Sequence, residues 1–220
     1  MKKKIAIALT CRETKFKRQN EIFDSVDQNW FSFFKKCNFE LKIYLNNNQN
    51  LKKFIQKNKI RGFVFSGGGP ITKNIGLKIK RFEGLNANRD IIETKIFNYC
   101  YKQNLPLLGV CRGMEVINIL LKGKIKKLLS HRNKIHELKP VYPEYKREYS
   151  MDKHVNSYHD FGIIKETLSK ELIPIYYSGK SIEMCLSKRK KIMGIMWHPE
   201  RNKKFSINDI KLFKNFFLNI

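Results

Sequence analysis

The chain has 220 residues, 42% of them hydrophobic, and a formal net charge of +26 at pH 7. This length suits one medium α/β domain or two small ones, and no apolar run approaches the roughly 18 residues that a membrane helix needs. The basic residues are mostly lysines scattered along the chain, without clusters of arginine and interleaved aromatic residues. They indicate a compositional bias rather than a nucleic-acid site, although the charge can still attract an anionic substrate or partner.

The N-terminus combines lysines with a short apolar run from Ile5 to Leu9, and no small-residue cleavage site follows. A signal peptide needs both a longer apolar region and such a site, so we interpret this run as a first β-strand and expect a cytoplasmic protein. The five cysteines form no CxxC pair and are odd in number, so neither a disulfide framework nor a zinc site is predicted. They are Cys11, Cys37, Cys100, Cys111 and Cys185.

Strand-like and helix-like patterns alternate along the first half of the chain. The sequence predicts strands over 5–10, 40–45, 62–66 and 106–110, and helices over 21–37, 50–58, 89–104 and 113–123. Such alternation is typical of βαβ units around a mostly parallel sheet. We therefore expect a three-layer α/β fold with helices on both faces of a central sheet.

The second half changes character. Residues 123–155 are polar and weakly patterned, and we predict that they form a loop or lid. Three short β runs follow close together, which predicts a small antiparallel addition to the sheet, and residues 207–220 have the pattern of a closing amphipathic helix. No repeat or long linker interrupts the chain, so we expect a single domain over 1–220.

The segment Gly109-Val110-Cys111-Arg112-Gly113 lies between a predicted buried strand and a predicted helix. Gly-x-nucleophile-x-Gly is typical of a nucleophile elbow, where a sharp turn presents the nucleophile at the carboxyl end of a strand. The N-terminus of the following helix favours a thiolate over a thiol. A buried, inert thiol is the usual state of a free cysteine, but it would not explain the two glycines. The pattern therefore predicts Cys111 as a nucleophile.

A cysteine nucleophile needs a base, and the base needs a group that orients it. Near the C-terminus, a predicted strand ends at His198, followed by Pro199 and Glu200. The proline stops the strand, and the carboxylate two residues after the imidazole can return to bind its other ring nitrogen. We predict His198 as the base and Glu200 as its orienting group.

A glycine-rich turn follows the predicted strand over 62–66, in the sequence Phe-Ser-Gly-Gly-Gly-Pro. Acyl transfer through cysteine creates an oxyanion, which backbone N–H groups can stabilise. Gly69 is the first candidate donor, Gly68 the second, and the N–H of Arg112 the third group. Taken alone, the turn could be a flexible loop or a phosphate cradle, although no Gly-Lys-Ser/Thr follows as in a P-loop.

These motifs, in this order, resemble the class I glutamine amidotransferase family over nearly the whole chain, and most of all its γ-glutamyl hydrolase branch. The branch includes hydrolases of γ-glutamyl-γ-aminobutyrate. The matching segments are FSGGGP, RDIIE, PLLGVCRGMEVIN, HVNSYHDFGI, SIEMCLS and GIMWHPE. The resemblance implies a triad of Cys111, His198 and Glu200, which attacks a γ-glutamyl amide and forms a γ-glutamyl thioester. It implies no metal and no organic cofactor.

The segment VNSYH corresponds to the part of the family that faces the glutamyl group. The resemblance therefore makes Asn156, Ser157, Tyr158 and His159 candidates for substrate binding, with a structural role equally open for His159. Family members commonly carry glutamine two residues after the second elbow glycine, where this chain has Glu115. A carboxylate there can pair with the substrate's ammonium group, and it raises the pKa of a nearby thiol; alternatively, Glu115 points to solvent.

The side chain of Arg112 has two interpretations. Its guanidinium can act on the substrate through its charge, or it can be structural and pair with a carboxylate such as Glu93. The backbone N–H of Arg112 is useful to the oxyanion in either case.

Three classes of function remain open. The first is a stand-alone hydrolase of a γ-glutamylated metabolite, and the resemblance extends to an activity on γ-glutamyl-CDP-amidate in surface polysaccharide pathways. An anionic, nucleotide-linked substrate suits the basic chain, and Arg132, Lys134 and Lys139 could form its receiving rim. The second is a glutaminase subunit that passes ammonia to a partner synthetase. The third is a non-catalytic binding module, which the intact triad disfavours. Either a homodimer or a partner synthetase is open.

Overall fold

A computed structural model describes residues 4–16, 21–47, 49–69, 71, 87–128 and 131–218. The strands among these residues are β1 (Ile5–Thr10), β2 (Arg12–Phe16), β3 (Glu21–Ser25), β4 (Phe39–Tyr44), β5 (Ile60–Phe65), β6 (Leu107–Val110), β7 (Lys126–Lys127), β8 (Arg132–Glu137), β9 (Lys139–Pro140), β10 (His154–Tyr158), β11 (Phe161–Gly162), β12 (Leu172–Ser178), β13 (Ser181–Ser187) and β14 (Ile192–Ile195). The α-helices are α1 (Asn29–Lys36), α2 (Leu51–Asn58), α3 (Ala87–Gln103), α4 (Arg112–Leu120), α5 (Pro143–Glu148) and α6 (Ile207–Leu218).

The central sheet has eight strands in the order β4-β1-β5-β6-β14-β13-β12-β9. The first five strands in this order, β4, β1, β5, β6 and β14, pair in parallel. The last three, β13, β12 and β9, continue the sheet with antiparallel pairs. Three small two-stranded sheets, β2-β3, β8-β10 and β7-β11, lie outside it. The predicted three-layer α/β fold with a mostly parallel sheet and an antiparallel addition is confirmed.

Both faces of the sheet are buried, because successive side chains of a strand point to opposite faces. In β1, Ala6 and Ala8 belong to the core that contains α3 and α4, while Ile7 and Leu9 belong to the core that contains α1 and α6. Continuous apolar strands such as β1 are typical of a parallel sheet covered on two sides. Among the described residues, no helix has the length and apolar character needed to cross a membrane.

Two expectations about the elements are wrong. The predicted helix over 21–37 is a strand, β3, followed by the shorter helix α1, and β3 pairs with β2 as an antiparallel hairpin. Ile22 and Phe23, which contributed to the helical pattern, are exposed on this hairpin. The segment 123–155 is not a loop: it contains β7, β8, β9, α5 and the start of β10. Its strands are short or exposed on one side, so they leave little hydrophobic periodicity.

The topology places the carboxyl ends of β1, β5, β6 and β14 next to one another. These strands end at Thr10, Phe65, Val110 and Ile195. The glycine-rich turn begins within two residues of the end of β5, and Cys111 directly follows β6. His198 lies three residues after the end of β14. The candidate chemistry therefore lies at one edge of the parallel sheet, where α/β folds bind ligands.

Candidate active site

Cys111 is the single residue between the end of β6 and the start of α4. Its φ of 52° and ψ of −110° are unusual for an L-residue, and such strain persists where surrounding contacts impose it. Its N–H donates to the Ile195 carbonyl at 2.7 Å, and its carbonyl accepts the N–H groups of Met114 and Glu115 at 2.9 and 3.2 Å. The backbone at Cys111 is therefore fixed at a sharp turn from strand to helix.

The two elbow glycines allow α4 to pack directly on the strands. A Cβ at Gly109 would lie 2.5 Å from the carbonyl carbon of Gly113, and a Cβ at Gly113 would lie 2.4 Å from the carbonyl oxygen of Phe65. Both clashes are with backbone atoms, which cannot move aside cheaply. The glycines are thus required for the close approach of α4 to β5 and β6, which in turn sets the position of Cys111.

His198 and Glu200 form a hydrogen-bonded pair beside the end of β14. A 3-10 turn over Pro199–Arg201 folds the chain back, so that Glu200 Oε1 lies 2.7 Å from His198 Nδ1. Both residues are at most 2% exposed. This contact leaves His198 Nε2 as the ring nitrogen that can exchange a proton with another group.

Asn156 holds the backbone of His198 from the neighbouring strand β10. Its Oδ1 accepts the N–H of His198 at 2.9 Å, and its Nδ2 donates to the His198 carbonyl at 2.8 Å and to Asn202 Oδ1 at 2.8 Å. Both ends of the amide are therefore engaged in fixing the turn. We interpret Asn156 as a residue that positions the imidazole, and the substrate-binding role expected from the sequence stays a prediction.

The approach of His198 to Cys111 depends on Gly67. A Cβ at Gly67 would lie 2.3 Å from His198 Cε1, 3.1 Å from His198 Nε2 and 3.3 Å from Cys111 Cβ. The imidazole and the Cβ of Cys111 thus both lie within 3.3 Å of the same point above the bare backbone of this glycine. Any larger residue at position 67 would occupy the space in which the two groups approach each other.

Burial and a neighbouring carboxylate disfavour the thiolate form of Cys111. Burial raises its pKa to about 12, and the Glu115 carboxylate acts in the same direction. The backbone N–H of Arg112 and the guanidinium of Arg201 lower the pKa without offsetting burial. The N–H of Arg112 at the helix N-terminus does favour the thiolate, as expected, but burial outweighs it, so a nucleophilic role needs a base to remove the proton.

The glycine-rich turn is held by the buried guanidinium of Arg89 in α3. Arg89 Nη1 donates to the Gly68 carbonyl at 2.7 Å, and Nη2 donates to the carbonyl of Ser66. The C=O and N–H of a trans peptide point in opposite directions, and the described residues contain no cis peptide. The N–H of Gly69 therefore points away from Arg89, and Gly68 and Gly69 both lie in the wall of the cavity that contains Cys111. This geometry favours Gly69 over Gly68 as a donor to the cavity.

The guanidinium of Arg112 is structural. It donates to Glu93 Oε2 and to Asp90 Oδ1, and all three side chains are at most 2% exposed. Glu93 also accepts Arg89 Nε at 2.9 Å, so one carboxylate connects the elbow with the glycine-rich turn. Burial raises the pKa of Glu93, but the charges of Arg89 and Arg112 outweigh it and hold that pKa below its usual value. The predicted pairing of Arg112 with Glu93 is confirmed.

Cys111 opens on a cavity of about 480 Å³, a size within the roughly 300–1,000 Å³ common to small-molecule sites. Its wall contains three of the predicted binding residues together with two arginines that the sequence analysis did not identify. These are Glu115, Tyr158, His159, Arg12 and Arg201. Glu115 is 7% exposed, so the alternative that it points to solvent is wrong. Burial raises the pKa of Glu115, while His159 and Arg112 lower it.

Tyr158 contacts both His198 and one of these arginines. Its ring meets the His198 ring edge-on at 5.7 Å between centroids, and the guanidinium carbon of Arg201 lies 4.6 Å from the centre of the Tyr158 ring. Ser157, in contrast, is fully buried and donates to the carbonyl of His131. It holds the chain that carries Tyr158 and does not line the cavity.

The basic rim expected from the sequence is only partly at the cavity. Lys134 is exposed and follows Asn133, which lines the cavity. Lys139 lies on β9, 3.9 Å from the Glu137 carboxylate, and the side chain of Arg132 lies outside the described structure. The cavity wall instead contains two other arginines, Arg12 and Arg201, to which the sequence assigned no role. Each stands within six residues of the end of a sheet strand, a position that could have identified it.

The model of the peptidase C26 family matches residues 6–200 of this chain. Gamma-glutamyl-CDP-amidate hydrolase of Campylobacter jejuni subsp. jejuni serotype O:2 is 30% identical over 166 residues, which cover 73% of this chain and 72% of that protein. Anthranilate synthase component 2 of Cyanophora paradoxa is 26% identical over 187 residues, which cover 81% of this chain and 86% of that protein.

A solved structure supports the assignment of the fold. The crystal structure of a glutamine amidotransferase from Thermotoga maritima matches with a TM-score of 0.63 at 13% identity, over 99% of this chain and 85% of that one. At this identity the match concerns the fold alone. The architecture is that of the glutamine amidotransferases, as the sequence motifs predict.

Proposed function

The chain belongs to the peptidase C26 family of class I glutamine amidotransferase-like proteins, and on this premise we propose that it hydrolyses a γ-glutamyl amide through Cys111. The observation that carries the proposal is that His198 and Cys111 converge on the space above Gly67 beside a cavity, with Glu200 bound to the far side of the imidazole. A nucleophile, a base and an orienting carboxylate in this order form the triad arrangement.

In the first half of the reaction, His198 Nε2 takes the proton from the Cys111 thiol as the sulfur attacks the γ-carbonyl carbon of the substrate. The oxyanion that forms lies near the N–H groups of Gly69 and Arg112, which stabilise it. The imidazolium then gives its proton to the amide nitrogen, the C–N bond breaks and the amine leaves. During both proton transfers, the hydrogen bond from Nδ1 to Glu200 stabilises the imidazolium.

In the second half, His198 takes a proton from water as the water oxygen attacks the carbonyl carbon of the γ-glutamyl thioester. The C–S bond breaks, glutamate is released and the proton returns to sulfur. This two-step course suits a thiol whose burial raises its pKa to about 12, because a thiolate forms only when a base removes the proton during attack. The network of Arg89, Glu93 and Arg112 keeps the oxyanion donors and the nucleophile in fixed positions.

As the substrate we propose an anionic, nucleotide-linked γ-glutamyl amide of the γ-glutamyl-CDP-amidate type. Arg12 and Arg201 in the cavity wall can bind phosphate oxygens, and the Campylobacter jejuni relative bears that substrate in its name. A role in surface polysaccharide biosynthesis in the cytoplasm would follow from this substrate. A glutaminase subunit is the second candidate, because the similarity to anthranilate synthase component 2 covers most of both chains.

The test is glutamate release by the purified protein from γ-glutamyl-CDP-amidate, neutral γ-glutamyl amines and glutamine. We expect fast release from the nucleotide amidate, weakened by salt, and a loss of at least about a thousandfold in Cys111→Ala. Cys100→Ala, which removes a buried thiol from the core beside α3, is the matched control and should retain activity.

Three other outcomes would contradict parts of the proposal. Equal cleavage of neutral and nucleotide-linked amides without salt dependence would exclude the anionic substrate. Silence on every compound, with a Cys111 thiol that alkylates, would favour the glutaminase subunit and direct the search to a synthetase. Full activity in Cys111→Ala would exclude the cysteine mechanism.

A further inference from the structure

Four potential metal ligands converge beside the cavity, although the sequence predicts no metal. They are His131, His136, His159 and Glu183, and one ligating atom from each lies within 4.8 Å of all the others. Glu183 Oε1 lies 3.3 Å from His136 Nδ1 and 3.7 Å from His159 Nε2. Ligands of a tetrahedral zinc ion at about 2.0–2.1 Å stand roughly 3.4 Å apart, so two of these pairs already have that separation.

A β-bulge brings the first two histidines to the same side. His131 and His136 are five positions apart, and in a regular strand an odd separation places side chains on opposite faces. The pairing of β8 with β10 shifts register between Ser157 and Tyr158, whose partners are Lys134 and Arg132. Asn133 is therefore left without a partner in this ladder and has a φ of 53°. The extra residue reverses the alternation, and bulges commonly re-aim side chains in this way.

Three buried atoms of the cluster have no hydrogen bond to any residue that the structure describes. They are His131 Nδ1, His159 Nε2 and Glu183 Oε2. His159 and Glu183 are 4% and 0% exposed, so water does not compensate for them at the surface. A buried polar atom without a partner costs about 1–3 kcal/mol, and such atoms are rare in native proteins. His159 Nε2 faces Glu183 Oε1 only at 3.7 Å, beyond hydrogen-bond distance, so a bound group would satisfy all three atoms.

The tautomer of His159 is also suited to a metal. Its Nδ1–H donates to the carbonyl of Phe161 at 2.7 Å, which leaves the lone pair of Nε2 directed into the cluster. Histidines that bind metals almost always donate their other ring N–H to a carbonyl or carboxylate. The carbonyl of Glu183 is likewise fixed, because it accepts the N–H of Met196 at 2.8 Å within the central sheet.

From these contacts we propose that His131, His136, His159 and Glu183 bind one Zn²⁺ ion with tetrahedral geometry. Three imidazole nitrogens and one carboxylate oxygen suit zinc among the common divalent metals. All four positions are supplied by the protein, so the ion is structural and activates no water. Binding displaces any protons on the ligand nitrogens and changes no oxidation state.

The ion would join the β8-β10 sheet to β13, a strand of the central sheet. Ile135 on this small sheet is 76% exposed, whereas Val155 packs in the core that includes Met184 of β13, so the metal would add a second connection to the one that side-chain packing makes. It would also fix His159 and the adjacent Tyr158, which line the cavity. The alternative is an ion-pair network in which protonated histidines balance the Glu183 carboxylate, and measurement of bound metal separates the two.

The chain provides its own control, because it has five histidines. Three belong to the cluster, His198 is the proposed base, and His154 is exposed outside both sites. Protein without a histidine tag should contain about one zinc per chain by mass spectrometry of the metal. The content should stay near one in His154→Ala and fall at least about tenfold in His136→Ala and in the isosteric Glu183→Gln.

The wild-type protein gives a second test that does not depend on the folding of a variant. Dialysis against a chelator should lower the melting temperature by several degrees, and ZnCl₂ should restore it. Cobalt(II) in place of zinc should give the intense visible bands of a tetrahedral site. The proposal is overturned if the wild type holds no stoichiometric zinc after dialysis against ZnCl₂, or if His154→Ala loses as much zinc as His136→Ala. Weak octahedral cobalt bands would overturn the tetrahedral assignment.

Discussion

Replacement of Glu115 by glutamine should make Cys111 more reactive. The Glu115 carboxylate is buried in the wall of the cavity and acts to raise the pKa of the Cys111 thiol. Glutamine keeps the size and the hydrogen-bonding capacity of the side chain but removes its charge. The thiolate of Cys111 should therefore form more readily in Glu115→Gln, with no change in the backbone of the elbow.

The size of the effect follows from Coulomb's law. Cys111 precedes α4, but its carbonyl accepts the Glu115 N–H, so we take the two charges to lie about one helical turn, roughly 6 Å, apart, where they interact by roughly 3 kcal/mol at an effective dielectric constant near 20. That energy changes the thiolate population by about a hundredfold. Because a less basic thiolate is also a weaker nucleophile, with a Brønsted coefficient of about 0.4–0.5, the net gain in the alkylation rate should be about tenfold.

The assay is the rate of iodoacetamide reaction at Cys111, followed by mass spectrometry of the peptide that contains it. The ratio of the variant to the wild type should be near ten at pH 8, by the Coulomb argument, and fall towards one as the pH drops and Glu115 is protonated. Glu166→Gln, at an exposed carboxylate in the turn Lys165–Thr167, should leave the rate unchanged. A ratio of one at every pH would show that Glu115 does not act electrostatically on the thiol.

Two further predictions concern positioning and stability. Asn156→Ala removes the amide that holds both backbone groups of His198, so kcat should fall by up to about a hundredfold while KM changes little; a matched rise in KM would instead favour contact with the substrate. Burial raises the pKa of Asp209 to about 7, although Trp197 Nε1 donates to it at 2.9 Å. The folded state therefore binds this proton more tightly than the unfolded chain, and the stability it contributes at low pH is lost as the pH rises from about 4 through 7. Asp209→Asn should gain up to about 4 kcal/mol over the wild type at pH 8 and little at pH 4 in urea denaturation, whereas an equal effect at both pH values would contradict the assignment.

The sequence predicts the elbow and the His198–Glu200 pair well, because each is built within a few consecutive residues. Val110 ends a short apolar strand, and the sharp turn with the proposed nucleophile Cys111 follows immediately. The bounds of β1 are also predicted correctly, since five of its six residues are buried and apolar or lie against the core. Local pattern and tertiary structure agree at these positions, so a single sequence is sufficient.

The errors arise where the local pattern and the tertiary structure diverge. Ile22 and Phe23 fit a helical period with α1, yet they lie on an exposed hairpin outside the central sheet. The histidine cluster was missed because its ligands come from separate segments and because the bulge at Asn133 reverses the strand alternation. Arg89 stands in a segment that the sequence identified, but its contacts with the glycine-rich turn cross 21 and 23 positions of the chain and have no local signature.

The buried charges beneath the candidate site fix the backbone of the glycine-rich turn, which apolar side chains could not do. Arg89, Arg112, Asp90 and Glu93 are almost fully excluded from solvent and sum to no net charge. Buried ion pairs seldom stabilise a protein more than well-packed apolar residues would, because both charges lose hydration. Apolar residues, however, could not hold the carbonyls of Ser66 and Gly68 in one orientation, and that orientation directs the N–H of Gly69 away from Arg89. Since Glu93 binds both arginines, one carboxylate of α3 ties the turn that carries the proposed oxyanion donor Gly69 to the elbow that carries Cys111.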